Sequence, residues 1–255
     1  IVEDHVNLFG STLTTDAAPF MAQDFQLGVC VHVTAWVCAY YHHLRFDAPR
    51  ILPADLAGFT PMEHGRLVPS GAVTITQLVQ MLERAGLPPV VYRLTRLPAG
   101  ETIASVACRY LDSGLPVIGA GGGHIFALMG YRWVRQDGLR HLQFIRQDDL
   151  EGPYVVVDSV KSDRYRPWEY LVIPMPSKVY MSGERAERLG RRKLIEALAD
   201  SDDAGSKLLE ARLDSGDLEF KASVCLSNEF KTKMRERGSE SLLATYQRLQ
   251  LSRAG

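Results

Sequence analysis

LPVIGAGGGHIFALMGYRWV, residues Leu115–Val134, divides the chain into two kinds of pattern. It is apolar and rich in β-branched and aromatic residues. Three runs of the same kind follow: QFIRQDD (143–149), YVVVDSV (154–160) and EYLVIPM (169–175). Such runs predict strands, and Gln136-Asp137-Gly138 offers a hairpin turn among them. Upstream the spacing is helical. Val33, Trp36, Val37, Tyr40 and Leu44 recur at three- and four-residue steps, which predicts a helix from about Val29 to Leu44 with those side chains on one buried face. Thr74 or Thr76 caps a second helix that runs through Leu82 to Ala85 and stops at Gly86. VVYRL (90–94) reads as a short strand, and residues 101–114 as an amphipathic helix that stops at Gly114. Helices first and an antiparallel sheet afterwards make an α+β pattern.

The flanks are less regular. Residues 1–25 read as an irregular arm. Residues 46–73 hold Pro49, Pro53, Pro61 and Pro69 and read as a long loop with short helical pieces. After Ser177 the chain becomes charged and helical: residues 183–200, 206–214, 228–237 and 241–251 carry helical patterns, and FKASVCLS (220–227) is strand-like. The expected division is a domain over 1–176 and a helical extension over 177–255. That extension either belongs to the same domain or continues past Gly255. The chain opens at Ile1 without Met, so the natural start is expected upstream.

Composition excludes several classes. The 255 residues are 46% apolar and 23% charged, with 21 Gly and 13 Pro, as in ordinary globular chains. A formal net charge of -1 favours neither nucleic acid nor an anionic membrane as partner. No run of 18 apolar residues suggests a membrane helix, and the first twenty residues lack the basic start and apolar centre of a signal peptide. Cys30, Cys38, Cys108 and Cys225 share no Cys-x-x-Cys spacing and no histidine cluster that would complete a zinc site. They read as reduced thiols in a cytoplasmic protein, and no metal or cofactor is expected.

One of the four thiols stands apart. Cys30 opens the first helix, where unpaired N–H groups and the helix dipole stabilise a thiolate. Cys38, Cys108 and Cys225 fall inside elements and read as core. A nucleophilic cysteine needs a histidine beside it and a group that orients that histidine. His124, after three glycines and at the head of an apolar run, is the best of the seven. His32 reads as a surface or capping residue. His42 and His43 read as helix-closing residues, where a cation suits the dipole. Asp148 and Asp149 end the strand that pairs, through the hairpin, with the His124 strand. Asp158 in YVVVDSV competes for the orienting role.

The order of these segments resembles the papain-like cysteine peptidases. It is closest to the bacteriocin-leader-processing, double-glycine type and its uncharacterised bacterial relatives. The cysteine helix of that type ends in a Tyr-Tyr pair, as Tyr40 and Tyr41 do here. GLPVIGAGGGHIFALMGY is similar to its histidine segment. FIRQDDLEGPY is similar to its aspartate segment, with Asp148 as the aspartate and Gly152 as the following glycine. The resemblance spans roughly residues 22–175. It implies that Cys30 is the nucleophile, His124 the general base and acid, and Asp148 the orienting group. It also implies a glutamine about six residues before the cysteine as oxyanion donor. Asp24 stands there, with Gln23 and Gln26 on either side; Gln26 is preferred.

The function expected on this basis is cleavage of a peptide or isopeptide bond through a thioester, on a peptide or protein substrate. The same residues serve deamidation, transamidation or acyl transfer. An inactive papain-like scaffold or sensor in a bacterial defence or signalling complex is the non-enzymatic alternative. The charged helical region after 177 suggests a protein partner.

Overall fold

In the computed structural model, residues 3–22, 30–59, 73–158, 167–200, 202–218 and 220–236 are described. In chain order they form β1 (Glu3–Leu8), β2 (Ser11–Asp16), α1 (Cys30–Phe46), α2 (Pro53–Phe59), α3 (Ile75–Arg84), β3 (Pro89–Arg93), α4 (Ile103–Asp112), β4 (Val117–Gly121), β5 (His124–Gln136), β6 (Leu139–Asp148), β7 (Gly152–Asp158), β8 (Trp168–Pro174), α5 (Gly183–Ala199), α6 (Ala204–Asp214) and α7 (Ser227–Glu236). The fold is α+β. Six antiparallel strands lie in the order β3-β8-β4-β5-β6-β7. β4 to β7 run as a meander, and β8 returns to fit between β3 and β4.

Local chemistry explains the element ends. The Thr74 hydroxyl accepts from the Gln77 N–H while the Gln77 side chain accepts from the Thr74 N–H, so two donors at the head of α3 are satisfied reciprocally. Thr102 and Ser105 repeat the device on α4. Asp137 and Gly138, both at positive φ, form the turn that joins β5 to β6.

The core lies between α1, α2, α3 and one face of the sheet. Ala35, Cys38, Leu56, Leu78, Met81 and Leu82 are fully covered and pack with Ile118, Ala127 and Val172. A second apolar group joins Phe126, Phe144 and Trp168, with ring centroids 5.1 and 6.0 Å from that of Trp168. Residues Ile1–Ala222 form one compact unit and Ser223–Gly255 a second. α5 and α6 belong to the first: Arg109 of α4 pairs with Glu187 of α5, and Arg191 of α5 with Asp214 of α6. Within the second, the Leu226 N–H donates to the Glu229 carboxylate at the head of α7.

Several expectations are corrected. Residues 3–16 are a β-hairpin rather than an irregular arm, turned at Phe9-Gly10 with φ of +50° and +84°. Its side chains are almost all exposed, so no buried face marks it in the sequence. α1 is buried on more than the expected face: Val31, Thr34, Ala35, Cys38 and His42 are covered, whereas Trp36, Tyr40 and Leu44 are only partly so. A helix apolar nearly all round gives its period no unique phase. His42 is therefore core, and burial pulls its pKa down to about 4 although a hydrogen bond with the Pro174 backbone opposes this. It carries no charge near neutral pH. FKASVCLS is not a strand: the Ala222 N–H donates to Glu187 Oε1, so this backbone group is spent on α5 rather than a sheet edge. Residues 60–72 and 241–251 lie outside the described residues.

Candidate active site

Two glycines set the histidine. β4 ends at Gly121, Gly122 and Gly123 turn the chain with φ of +58° and +77°, and β5 begins at His124. Positive φ at both central residues matches the twist of the flanking strands, and glycine reaches it without steric cost. His124 is held at the rim of the sheet, paired with Gly121 and buried.

α1 delivers the thiol to that rim. Thr34, one turn into the helix, donates its hydroxyl to the Ile125 carbonyl at 3.3 Å. That contact brings the helix N-terminus, and Cys30 as its first residue, to the start of β5. Cys30 is half-buried, and its side chain hydrogen-bonds the His124 ring. The N–H groups of the first turn have no intrahelical acceptor and point toward any charge developing there.

β6 delivers the carboxylate. Leu142, Phe144, Arg146 and Asp148 alternate on its buried side. A bulge between Arg146 and Asp148 breaks the pairing with β7, and bulges re-aim the side chains beside them. The His124 Nε2–H donates to Asp148 Oδ1 at 3.2 Å. The same oxygen accepts from the Leu150 and Glu151 N–H groups at 3.0 and 3.1 Å. An ionised carboxylate only accepts, so the shared proton sits on Nε2 and Nδ1 is left for sulfur. Arg146 Nε stands 3.1 Å from Asp148 Oδ2, and Arg146 also pairs with Glu151.

The charges follow from these contacts. Burial pulls the His124 pKa down, but the hydrogen bonds to Asp148 and Cys30 and the negative charges of Asp148 and Asp149 outweigh it and lift it to about 9. Burial pushes the Asp148 carboxyl up, yet the His124 and Leu150 hydrogen bonds and the cations His124 and Arg146 hold it below the usual carboxylate range. Asp149 shifts the other way. Burial, aided by the charge of Asp148 and opposed by that of His124, raises it to about 6. Near neutral pH the histidine is an imidazolium on an ionised Asp148.

Of the expected site residues, Cys30, His124 and Asp148 come together. Gln26 and Gln23 lie outside the described residues. Asp149 Oδ1 is 3.6 Å from His124 Nε2, farther than Asp148. Asp158 is remote: it pairs with Gln143 while Asp148 pairs with Gly152, which separates them by about 15 Å along β6. Arg146 was not anticipated. Its signal was the alternation of Leu142 and Phe144, which places residue 146 on the buried side. His124, Asp148 and Asp149 offer ligand atoms within 4.8 Å of one another, the one such grouping among the described residues. A cation entering there would meet the fixed guanidinium of Arg146, so the set suits orienting an imidazole better than binding a dication. A cavity of about 680 Å³ along α5, lined by Arg185, Arg188, Arg191 and Arg192, includes none of these residues.

No protein-family model matches the chain, and no curated protein or solved structure is detectably similar to it. Among the described residues, no helix is long and apolar enough to cross a membrane.

Proposed function

We propose that this protein is a cysteine hydrolase of papain-like arrangement that cleaves a peptide or isopeptide bond. The observation that carries the reading is the chain Cys30–His124–Asp148, a half-buried thiol hydrogen-bonded to a buried imidazole whose far nitrogen donates to a buried carboxylate. The cysteine helix lying on the His124 strand supports the papain-like arrangement.

In this mechanism the Cys30 sulfur, paired with the His124 imidazolium, attacks the carbonyl carbon. The C=O π pair moves to oxygen, and the N–H groups at the head of α1 face the resulting oxyanion. His124 gives its proton to the leaving nitrogen, the C–N bond breaks and a thioester remains. Neutral His124 then takes a proton from water. The hydroxide adds to the thioester, the C–S bond breaks, and a carboxylic acid departs with Cys30 and His124 restored. Asp148 keeps the ring turned toward sulfur throughout.

The test is incubation of the full chain with a mixed peptide and isopeptide-linked substrate set, read by mass spectrometry, beside Cys30→Ala. New termini formed by wild type alone support the reading. Ammonia release without chain cleavage would move the reaction to side-chain deamidation on the same residues. No product from any substrate, with a Cys30 thiol that labels no faster than the other cysteines, would contradict it.

A further inference from the structure

Arg146 is buried to 1% exposure on β6, a strand paired on both sides. Its guanidinium lies 5.1 Å from the Phe126 ring centroid. Taking such a charge out of water costs more than an ion pair commonly returns, so buried pairs are poor stabilisers. Its placement gives a better reason. One end faces Asp148 Oδ2 and another pairs with Glu151. Those residues bound the turn 148–151, and the Leu150 and Glu151 N–H groups of that turn bind the other Asp148 oxygen. Arg146 thus touches both ends of the loop that wraps the carboxylate. Among the described residues, Oδ2 of Asp148 receives no hydrogen bond, only the Arg146 charge. Asp149, 3.6 Å from the same ring nitrogen, is the carboxylate that would compete if the turn loosened.

We propose that Arg146 is a positioning residue: it staples the 148–151 turn so that Asp148, rather than Asp149, presents a carboxylate oxygen to His124 Nε2. The role rests on the proposed hydrolase reading for its purpose, but its effect on His124 can be measured without a substrate. The groups facing the ring are Cys30 of α1, Asp148 and Asp149, with Arg146 and Glu151 behind them.

The experiment is an NMR titration of His124 in the full chain, in wild type, Arg146→Met and Arg146→Lys, with iodoacetamide labelling of Cys30 in the same samples. Met keeps the packing over Phe126 and removes the charge. Losing a nearby cation would by itself raise the His124 midpoint. The expected result, a fall by roughly one pH unit or more with a loss of about tenfold in Cys30 labelling at pH 7, therefore reads the loss of the Asp148–His124 hydrogen bond rather than of the charge. Lys keeps the charge without the two-ended fork and should fall in between. In an Asp148→Asn background the Met substitution should add nothing, because Arg146 acts through Asp148. A His124 midpoint unchanged or raised in folded Arg146→Met would overturn the proposal, as would an effect that persists in full without Asp148. Should the Met variant not fold, the Lys variant carries the test, and a midpoint equal to wild type overturns it. If wild-type Cys30 labels no faster than Cys108, the hydrolase reading fails while the titration still reads Arg146.

Discussion

Two arginines in this molecule each gather a pair of carboxylates, and they do so differently. Arg109 donates from Nε to Glu187 at 2.8 Å and from both terminal nitrogens to the two oxygens of Glu101, at 3.1 and 2.8 Å. Ser105 adds a donor to Glu101. Its bonds join α4 to α5 with donors and acceptors matched. Arg146 meets Asp148 by charge without an aligned hydrogen bond, and beside that carboxylate stand an imidazole and a thiol. Asp149, next in the chain, is buried and raised to about 6. A matched buried network stiffens a fold. A partly matched one with shifted titrations marks a place where the fold bears a cost, which is common where chemistry occurs.

Substitutions can break or sharpen that contrast. Cys30→Ala has the largest expected effect: product formation disappears while the melting temperature stays near wild type, because the thiol is half-buried. A large thermal loss would instead make Cys30 a packing residue. Arg109→Met should cost about 3–5 kcal/mol of stability by leaving two shielded carboxylates without their cation, measured by urea unfolding. Cys30 labelling per folded molecule should not change. If Arg109→Met slowed labelling as Arg146→Met does, the two networks would not differ in kind.

The pH predictions are smaller. The His124 pKa is raised in the fold, so its stabilising contribution is present below its ordinary value of 6.5 and is lost as pH rises through about 9. Activity that needs the imidazolium should fall over the same limb, read from a pH–rate profile. Asp149 is also raised, so ionising it opposes folding: stability declines as pH climbs from 3.8 through about 6. Asp149→Asn removes that slope. The variant should gain on the order of 2 kcal/mol over wild type at pH 8 relative to pH 4, seen as a Tm difference that grows with pH. A difference independent of pH would contradict the assignment of a strained carboxylate.

What the sequence disclosed about this site is uneven for a physical reason. Signals local to the backbone were legible: a threonine cap at 74 or 76, Gly86 and Gly114 as stops, Asp137-Gly138 as a turn, and three glycines before His124. So was the thiol at a helix start. Features that depend on a distant partner were not. The phase of α1 could not be read, because the sheet and α3 both cover it. FKASVCLS alternates like a strand but finds no ladder. Choosing among Asp148, Asp149 and Asp158 required the register of β6 against β7, which puts Asp158 beside Gln143. Arg146 was hidden because a charge interrupts the apolar alternation that locates it.

The most direct test of the central claim is the alkylation rate of each cysteine from pH 5 to 9, read by peptide mass spectrometry, in wild type and His124→Ala. The account predicts that Cys30 labels fastest at acidic and neutral pH and that losing His124 slows it by roughly tenfold or more. Cys108, which burial and the Asp112 charge push up to about 11, should label slowly in both proteins. Slow labelling of Cys30, alike in both, would contradict an activated thiolate and leave Cys30 an ordinary thiol in a scaffold.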